Sequence, residues 1–433
     1  MSDPIGDSLA DRLVAANFSR CDGVLHVGGL DLRGLAETHG TPFFVYDAAL
    51  LRRAYRDLAG AVAGFAVVDY SVKANPAPAI IRVFRDEGAG AEIASAAEFA
   101  ASWAAGVDPR HILFAGPGKS DADIEATVAG GIGEIHLENG EEMRRVAEAA
   151  ERHGTVQRVA IRINPGPDAQ GGAMRMGGKP SPFGFDEEEL EAVVDAVEAE
   201  PRLHLSGIHL FAGTQGLVAA TLLSQWAYGL SLAERVADRI ARPLETIDLG
   251  GGLGIPYFST DAALDLDAIR DGMPALIARV TSDPRLREAR IVLEPGRFLA
   301  GPAGLYVARV RAVKVSRGSR FVITDGGMHH HLAASGNLGQ VVKRDYPVTS
   351  VVDRGGPRSP CAVVGPLCTP LDMLARTTPL PDLTAGDLVA VLQSGAYGLT
   401  ASPTGFLSHP RPAELLVDEG RAREVGAARR PAD

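Results

Sequence analysis

Residues 134–163 read EIHLENGEEMRRVAEAAERHGTVQRVAIRI and contain a strand, a helix and a second strand in their residue pattern. The first apolar run extends from Glu134 to Leu137, the helical pattern from Glu141 to Arg152, and the second apolar run from Arg158 to Ile163. A helix between two short strands is typical of a βα unit in which the strands pair in parallel.

The same alternation is repeated from residue 66 to residue 293. Eight apolar runs alternate with helical patterns, which is the number expected for a (β/α)8 TIM barrel. An open, doubly wound sheet is the alternative that this alternation also allows. The other apolar runs are 66–72, 91–94, 111–114, 205–210, 246–249 and 290–293, and further helical patterns are 77–87, 186–198 and 222–240.

Beyond Leu293 the pattern changes to β-rich runs separated by Gly, Pro and Asp turns, which predicts a C-terminal all-β domain. These runs are 307–315, 320–324, 360–364, 388–392 and 413–417. The first forty residues look extended around Val24 to Leu32, so we expect them to join the β domain. The predicted divisions are an N-terminal segment 1–40, a barrel 41–295, a β domain 296–420 and a loose tail 421–433.

Composition excludes several classes of protein. The chain has 433 residues, of which 46% are hydrophobic and 22% charged, and this predicts two folded domains. The formal net charge of −11 argues against nucleic-acid binding, which needs a basic face. No apolar run is long enough to cross a membrane and no export signal is recognisable, so we expect a cytoplasmic protein without membrane contact. Three cysteines, Cys21, Cys361 and Cys368, are too few for a disulfide framework.

Lys73 comes directly after the first apolar run, in the segment Tyr70-Ser71-Val72-Lys73-Ala74-Asn75-Pro76. In a barrel this position lies at the carboxyl ends of the strands, where active sites are built. An amine held there is a candidate nucleophile. An ordinary surface lysine is the alternative.

Two further segments follow later strands of the predicted barrel. Gly250, Gly251 and Gly252 follow the strand that ends near Leu249, and such a turn allows backbone N–H groups to bind an anion. A purely structural turn is the alternative. Glu294 follows the eighth strand directly, and its carboxylate can hold a cation or a protonated ring nitrogen. It can also form a structural salt bridge.

Glu294 is followed by Gly296 and Arg297, which offer a backbone N–H group and a guanidinium fork to an anion. The segment His209-Leu210-Phe211-Ala212-Gly213-Thr214-Gln215 follows the sixth strand and supplies an aromatic face and a hydroxyl. An amine, an anion-binding turn, a carboxylate and a flat ring are together the groups that a pyridoxal phosphate site needs.

This set resembles the alanine-racemase-like, fold type III pyridoxal phosphate decarboxylases, the group of the diaminopimelate, ornithine and arginine decarboxylases. The resemblance extends from Thr41 to Val417. It implies that Lys73 binds the cofactor covalently, that Gly250 to Gly252 bind its phosphate, and that Glu294 pairs with its ring nitrogen.

The resemblance continues in the β domain. Gly365-Pro366-Leu367-Cys368-Thr369-Pro370-Leu371-Asp372 resembles a family loop that reaches into the active site of the partner subunit. It implies a homodimer with shared active sites, in which Cys368 is the candidate acid and Asp372 a neighbour of the substrate. Gly395-Ala396-Tyr397 resembles a segment whose tyrosine contacts the cofactor.

The chain departs from the family pattern at several positions. Thr369 replaces a glutamate of diaminopimelate decarboxylases, and His329, His330 and His331 stand where an arginine-proline pair is usual. We expect a solvent-facing or substrate-lining loop for the three histidines rather than a metal site, because no acidic or cysteine partner lies at ligand spacing.

At the ring face the family stacks a histidine, and here Phe211 occupies that position, with Thr214 as a phosphate ligand. His209 is then an uncertain neighbour. Arg162 is a candidate partner for a carboxylate behind the cofactor, although a structural ion pair is equally expected.

The segments Met174 to Gly178, Phe183 to Phe185 and Phe406 to Pro410 are similar to a branch of the family found in biosynthetic clusters. That branch acts on amino acids tethered to an acyl carrier protein, and glutamyl or aspartyl thioesters are the substrates it implies. A carrier is usually acidic, so Lys343, Arg344, Arg354 and Arg358 are its candidate contacts. The alternatives are a diaminopimelate decarboxylase of lysine biosynthesis, a pyridoxal phosphate-dependent racemase and a non-enzymatic carrier of the cofactor.

Overall fold

The structure is a computed structural model that describes residues 8–166, 180–211, 213–338 and 343–426. The chain forms two compact units. The barrel unit comprises residues 54–254 and 263–298, and the sheet unit comprises residues 1–53, 255–262 and 299–433. None of the described helices is both long and apolar enough to cross a membrane.

The barrel unit is a ring of parallel strands, as the alternating pattern predicted. Its strands are Val67–Val68, Tyr70–Ser71, Ala91–Ile93, Ile112–Phe114, Glu134–Leu137, Gln157–Asn164, Leu203–Leu210, Thr246–Asp248 and Arg290–Leu293, and the short strand Phe185–Asp186 pairs with Gln157–Asn164. The helices between them are Pro78–Asp86, Ala96–Ala104, Asp121–Ala129, Gly140–Arg152, Leu190–Glu198, Ala219–Ile240 and Leu266–Ser282.

The first barrel strand is divided at Asp69 into two short strands, and their pairings close the ring of strands. Before it, Val67–Val68 pairs with Arg290–Leu293, and after it, Tyr70–Ser71 pairs with Ala91–Ile93. The Asp69 carboxylate accepts hydrogen bonds from Arg290 at 2.7 and 2.9 Å and from the Gly90 backbone at 2.9 Å. The two short strands therefore act as one, and the barrel has the eight strands that the sequence predicted.

Side-chain caps set the first residue of several barrel helices. Ser95 accepts a hydrogen bond from the Glu98 backbone, Asn139 accepts one from Glu142, and Ser120 forms a reciprocal capping box with Asp123. Such caps satisfy backbone donors that have no partner inside the helix. They fix where each helix begins after its strand, and so fix the intervening loops.

The sheet unit contains two antiparallel or mixed sheets and two helices, Leu9–Asn17 and Leu32–His39. A small sheet joins Ser19–Cys21, Val24–Val27 and Leu30–Asp31. The larger sheet has the order Met373–Leu380, Ser359–Val364, Ser319–Thr324, Gly304–Ser316, Phe43–Asp47, Ala413–Asp418 and Arg421–Glu424, with Leu388–Val391 paired to Gly304–Ser316 and Val348–Ser350 paired to Leu388–Val391. Helices Ala48–Ala61 and Arg297–Ala300 each contain residues of both units.

Two segments differ from the sequence pattern. Phe43–Asp47 pairs with Gly304–Ser316 and Ala413–Asp418, whereas the predicted barrel began at residue 41. Arg421–Glu424 forms an edge strand, although a loose tail was predicted from residue 421. Its hairpin turns at Glu419 and Gly420, whose φ angles are 49° and 71°, the conformation of a tight two-residue hairpin loop.

Candidate active site

A cavity of about 370 Å³ opens in the barrel unit where the strands end. Its position is the one at which barrel enzymes carry their active sites. The residues that line it are Lys73, Glu92, Ala94, Ala115, Gly116, Pro117, Arg162, Ile163, Asn164, Pro165, Ser181, Phe183, His209, Phe211 and Glu294. Five of the site residues predicted from the sequence are among them.

Lys73 enters the cavity from a single 3-10 turn, Val72–Ala74, that follows the strand Tyr70–Ser71. Its Nζ lies 3.0 and 3.1 Å from the two carboxylate oxygens of Glu92. The strand ends one residue earlier than the pattern predicted, but the amine still reaches the cavity.

Glu92 is a site residue that sequence reasoning missed. It is buried in the strand Ala91–Ile93 and also accepts a hydrogen bond of 2.5 Å from Ser71 Oγ. Burial raises the pKa of the Glu92 carboxyl, and the charge of Lys73 opposes that shift. A glutamate inside an otherwise apolar strand was the available signal, because buried carboxylates are uncommon without a partner.

Phe211 and His209 both line the cavity at the end of the strand Leu203–Leu210. Lys73 Nζ is 5.9 Å from the centre of the Phe211 ring, so the ring face is close to the amine. His209 is buried, and its ring stacks on His136 at 4.3 Å. Thr214 is exposed in the turn that follows.

The three glycines after the strand Thr246–Asp248 are tightly packed. A Cβ atom at Gly250, Gly251 or Gly252 would lie 2.2, 2.3 or 2.4 Å from a backbone oxygen of Leu210, Glu294 or Gly213, respectively. Gly250 and Gly252 also have φ angles of 70° and 89°, which glycine adopts without strain. Only glycine fits this loop, and a backbone free of side chains can approach an anion closely.

Glu294 lies at the end of the last barrel strand and is 5% exposed. Its Oε2 is 3.4 Å from His209 Nε2, and its Oε1 has no hydrogen-bond partner among the residues that the structure describes. A carboxylate oxygen without a donor, on a residue that lines the cavity, fits a ligand that brings an N–H group. Gly296 packs against Ala74, and Arg297 begins a short helix.

Arg162 forms an ion pair with Glu138, at 2.6 Å from Nη1 to Oε1, and its guanidinium lies over the Phe183 ring. Glu138 also accepts hydrogen bonds from the backbone of Gly116 and Gly184. The pair therefore ties together the loops on this side of the cavity. This arrangement agrees with the structural ion pair that the sequence allowed.

These groups fit pyridoxal phosphate by their chemistry. The cavity offers one lysine amine for an aldehyde, one carboxylate with an open oxygen for a ring nitrogen, and an aromatic face beside the amine. The nearby glycine loop can receive a phosphate.

The predicted loop of the sheet unit is held by Asp372. Its Oδ1 accepts a hydrogen bond of 2.6 Å from the Met328 backbone, and its Oδ2 accepts one of 2.8 Å from the Leu367 backbone. Cys368 is exposed on this loop and Thr369 is half-buried beside it. Asp372 therefore shapes the loop that presents Cys368, a role that the sequence did not indicate. Tyr397 has a φ of 52°, which is strained for a tyrosine.

The three histidines do not face solvent, so the solvent-facing half of that prediction was wrong, and the substrate-lining half stays a prediction. His329, His330 and His331 are at most 1% exposed. His330 lies 3.2 Å from the Tyr306 hydroxyl and 3.0 Å from the Pro410 carbonyl, and His331 lies 2.9 Å from Ser394 Oγ. Burial lowers the pKa of His329 to about 4 and that of His330 and His331 to about 3. They are neutral core groups of the sheet unit.

Two of the four candidate carrier contacts form ion pairs with acidic residues of the chain. Arg354 forms an ion pair with Asp387, and Arg358 forms ion pairs with Asp11 and Asp353. Lys343 and Arg344 are exposed, and the Arg344 guanidinium lies 3.7 Å from the centre of the Phe258 ring. The segment Met174 to Gly178 lies outside the described residues.

The chain is similar to proteins of one known family over most of its length. Residues 48–301 match the family described as "Pyridoxal-dependent decarboxylase, pyridoxal binding domain". The chain is 39% identical over 394 residues to the L-glutamyl-[BtrI acyl-carrier protein] decarboxylase of Niallia circulans, covering 90% of this chain and 92% of that protein. It is 30% identical to the diaminopimelate decarboxylase of Aquifex aeolicus, covering 93% of each chain. The crystal structure of diaminopimelate decarboxylase from Helicobacter pylori with L-lysine has a TM-score of 0.80 and 27% identity, covering 91% of this chain and 96% of that one.

Proposed function

The chain belongs to the pyridoxal-dependent decarboxylase family, and we propose that it removes the α-carboxyl group from an amino acid held as a thioester on an acyl carrier protein. It is a pyridoxal phosphate-dependent carboxy-lyase. The proposal adds the substrate class, with glutamyl and aspartyl thioesters as the candidates. The single observation that carries it is the 39% identity to the L-glutamyl carrier-protein decarboxylase over nine-tenths of the chain.

Cavity residues and the nearby glycine loop each bind one part of the cofactor. Lys73 holds it through its amine, the loop of Gly250, Gly251 and Gly252 holds its phosphate with Thr214, and Phe211 covers one ring face. When bound, pyridoxal phosphate supplies an electron sink for the pair left on the α-carbon when carbon dioxide leaves. Glu294 holds a proton at the ring nitrogen, which keeps that sink effective.

Further residues act around the cofactor. Gly296 and Arg297 complete the anion site, and Tyr397 contacts the cofactor. Arg162 supports the cavity wall through Glu138. Cys368 delivers a proton to the α-carbon after decarboxylation, because a thiol is a competent general acid when it is placed beside a carbanion.

We propose a homodimer in which each active site receives the loop of Cys368 and Asp372 from the opposite subunit. The fixed conformation of this loop supports the proposal, because two backbone donors hold the Asp372 carboxylate while Cys368 stays exposed. An exposed cysteine on a rigid loop is suited to entering a partner's cavity. The closed point symmetry usual for homodimers would then create two equivalent sites.

The residues expected near the distal end of the substrate favour a tethered amino acid over a free one as the substrate. Thr369 carries no charge to pair with a distal ammonium group, and the buried, neutral His329 to His331 carry no positive charge to pair with a distal carboxylate. A free diaminopimelate would leave such charged groups without partners, at a cost of about 1–3 kcal/mol each. A thioester arm that leads to solvent needs no such partner.

The experiment compares kcat/KM on a panel of free and tethered amino acids, with mass spectrometry of the carrier to detect the loss of carbon dioxide. We expect a glutamyl- or aspartyl-loaded carrier to exceed free lysine, ornithine and diaminopimelate. Efficient turnover of free meso-diaminopimelate, with none on any loaded carrier, would instead identify a diaminopimelate decarboxylase.

A matched pair of variants tests the carrier contact separately. Lys343→Gln removes an exposed charge and should raise KM for the loaded carrier, while kcat/KM for a small glutamyl thioester without the carrier should be unchanged. Arg354→Gln is the control, since this arginine is engaged by Asp387. Equal effects of the two variants would place the carrier elsewhere.

A further inference from the structure

A second carboxylate, Asp248, lies behind Glu294 in the interior of the barrel unit. Asp248 is 0% exposed and Glu294 is 5% exposed, and Glu294 is the one that lines the cavity. Four atoms lie within 4.8 Å of one another. They are one carboxylate oxygen of Asp248, one of Glu294, and one ring nitrogen each of His136 and His209. Two buried carboxylates this close cannot both be ionised without strong mutual repulsion.

The backbone of Gly250 is hydrogen-bonded to the Asp248 side chain and to the Glu294 backbone. Its N–H group donates to Asp248 Oδ1 at 2.8 Å, and its carbonyl accepts a hydrogen bond of 2.9 Å from the Glu294 backbone. Asp248 Oδ1 is thereby fixed, and Oδ2 is left without a hydrogen-bond partner among the described residues. A proton on Oδ2 would satisfy both the geometry and the charge of this site.

The histidine within ion-pair distance of Asp248 is shared with a nearer carboxylate. His136 Nε2 lies 3.2 Å from Glu134 and 3.8 Å from Asp248, so Glu134 is its nearer partner. Burial first, and then the neighbouring His136, lower the pKa of His209 well below its usual range, so His209 is neutral.

The lysines and arginines near the site also have other partners. Lys73 pairs with Glu92, and Arg162 pairs with Glu138. No lysine or arginine in the described ranges forms an ion pair with Asp248. Burial, followed by the charge of Glu294, raises the pKa of the Asp248 carboxyl well above its usual range.

From this arrangement we infer that Asp248 is a protonated positioning residue that keeps Glu294 as the ionised member of a buried carboxyl pair. With the proton on Asp248, only Glu294 carries the negative charge. That charge faces the cavity, where it can hold a protonated ring nitrogen. Asp248 thus acts through Glu294, and its Oδ1 at the same time fixes the first glycine of the anion-binding loop.

The test is isotope-edited infrared spectroscopy of the holoenzyme near neutral pH. A protonated carboxyl gives a carbonyl band that an ionised one lacks. We expect such a band to shift when aspartate is labelled with 13C at its side-chain carboxyl, to stay in place when glutamate is labelled, and to disappear in Asp248→Asn. The inference would be overturned if no aspartate band were lost in Asp248→Asn, or if the band that this variant loses moved with labelled glutamate.

Glu294→Gln provides a second measurement that does not depend on the folding of the Asp248 variant. Removing the charge of Glu294 removes the repulsion, so the aspartate band should be lost on titration at a pH lower by about one unit or more. An unchanged titration would contradict the coupling. A stoichiometric metal ion retained by the purified holoenzyme after treatment with a chelator would also overturn the inference, because a cation would replace the proton.

The inference rests on the role of Glu294 in the proposed function. The infrared measurement, however, reports only whether Asp248 is protonated. An absent aspartate band with normal carrier-dependent activity would refute the inference alone. A normal band in a protein that decarboxylates no loaded carrier would refute the substrate assignment alone.

Discussion

Lys73 Nζ lies 3.0 Å from Oε1 and 3.1 Å from Oε2 of Glu92, a carboxylate that is buried in the adjacent barrel strand. The carboxylate is fixed by a hydrogen bond from Ser71, the last residue of the strand that precedes Lys73. A carboxylate of the neighbouring strand therefore lies directly beside the nitrogen of Lys73. Glu92 favours the protonated form of that nitrogen.

Glu92→Gln should shift the pH titration of the bound cofactor's absorbance to lower pH by about one unit or more, because a charge that stabilises the protonated nitrogen is lost. The measurement is a spectrophotometric titration of the holoenzyme. Ser71→Ala is the matched control, since it removes a neutral hydrogen bond but keeps the Glu92 charge, and its shift should be smaller. An unaltered titration in Glu92→Gln would mean that the ion pair has no influence on Lys73.

Glu294→Gln should reduce the rate of carbon dioxide release by about 100-fold or more while the cofactor stays bound. The carboxylate matters for a proton on the ring nitrogen, whereas the glycine loop and Lys73 hold the cofactor. Stopped assays of carbon dioxide and absorbance after desalting measure the two effects. Glu294→Asp keeps the charge and should lose less. If Glu294→Gln kept the normal rate, the carboxylate would have only a structural role.

Mixed dimers test the shared site. A Lys73→Ala chain and a Cys368→Ala chain should each be inactive alone, and their mixture should recover up to about a quarter of normal activity when dimers form at random. Activity is measured after the formation of mixed dimers has been verified by two affinity tags. Verified mixed dimers that stay inactive would show that Lys73 and Cys368 act from the same subunit.

The buried histidines predict a loss of stability in acid. Their pKa values of about 3 to 4 in the folded protein lie below the usual value of about 6.5, so the unfolded chain binds more protons below pH 6.5. The free energy of unfolding should therefore fall as the pH decreases from about 6.5 towards 4, by up to about 1.4 kcal/mol per pH unit for each histidine.

His331→Gln tests this acid sensitivity, because glutamine can keep a hydrogen bond to Ser394 but does not titrate. Urea unfolding at pH 7 and pH 5 should show a smaller difference in the variant than in the native protein. His39→Gln, in a helix at the surface of the sheet unit, is the control. The same difference in His331→Gln and in the native protein would show that this histidine is not neutral in the fold.

The barrel was predictable from the sequence because each strand is a short apolar run and each helix has a clear period. Glu134–Leu137 and Arg290–Leu293 have the bounds that their patterns predicted. Phe43–Asp47 was not assigned to the β region, because an apolar run does not reveal which sheet it will join. The strand Arg421–Glu424 is short and charged, and its turn at Glu419-Gly420 was the only signal.

The site was predictable where the chemistry is local. Lys73, Glu294 and the glycines follow strands directly, so their common position at one end of the barrel follows from the fold. Glu92 and the triple histidine were not predictable in the same way. Their burial depends on packing between residues far apart in the chain, and polar residues in a short window predict exposure more often than a buried position.

Reduction of the purified protein with borohydride, followed by peptide mapping, tests the central claim most directly. The cofactor should become fixed to one lysine, and the modified peptide should contain Lys73, because this amine enters the cavity between Glu92 and the Phe211 ring. Lys119 is an internal control, since its buried Nζ is fully engaged by Glu142 and two carbonyls. A pyridoxyl group on Lys73 is the predicted result, and a pyridoxyl group on any other lysine, or on none, would contradict the account.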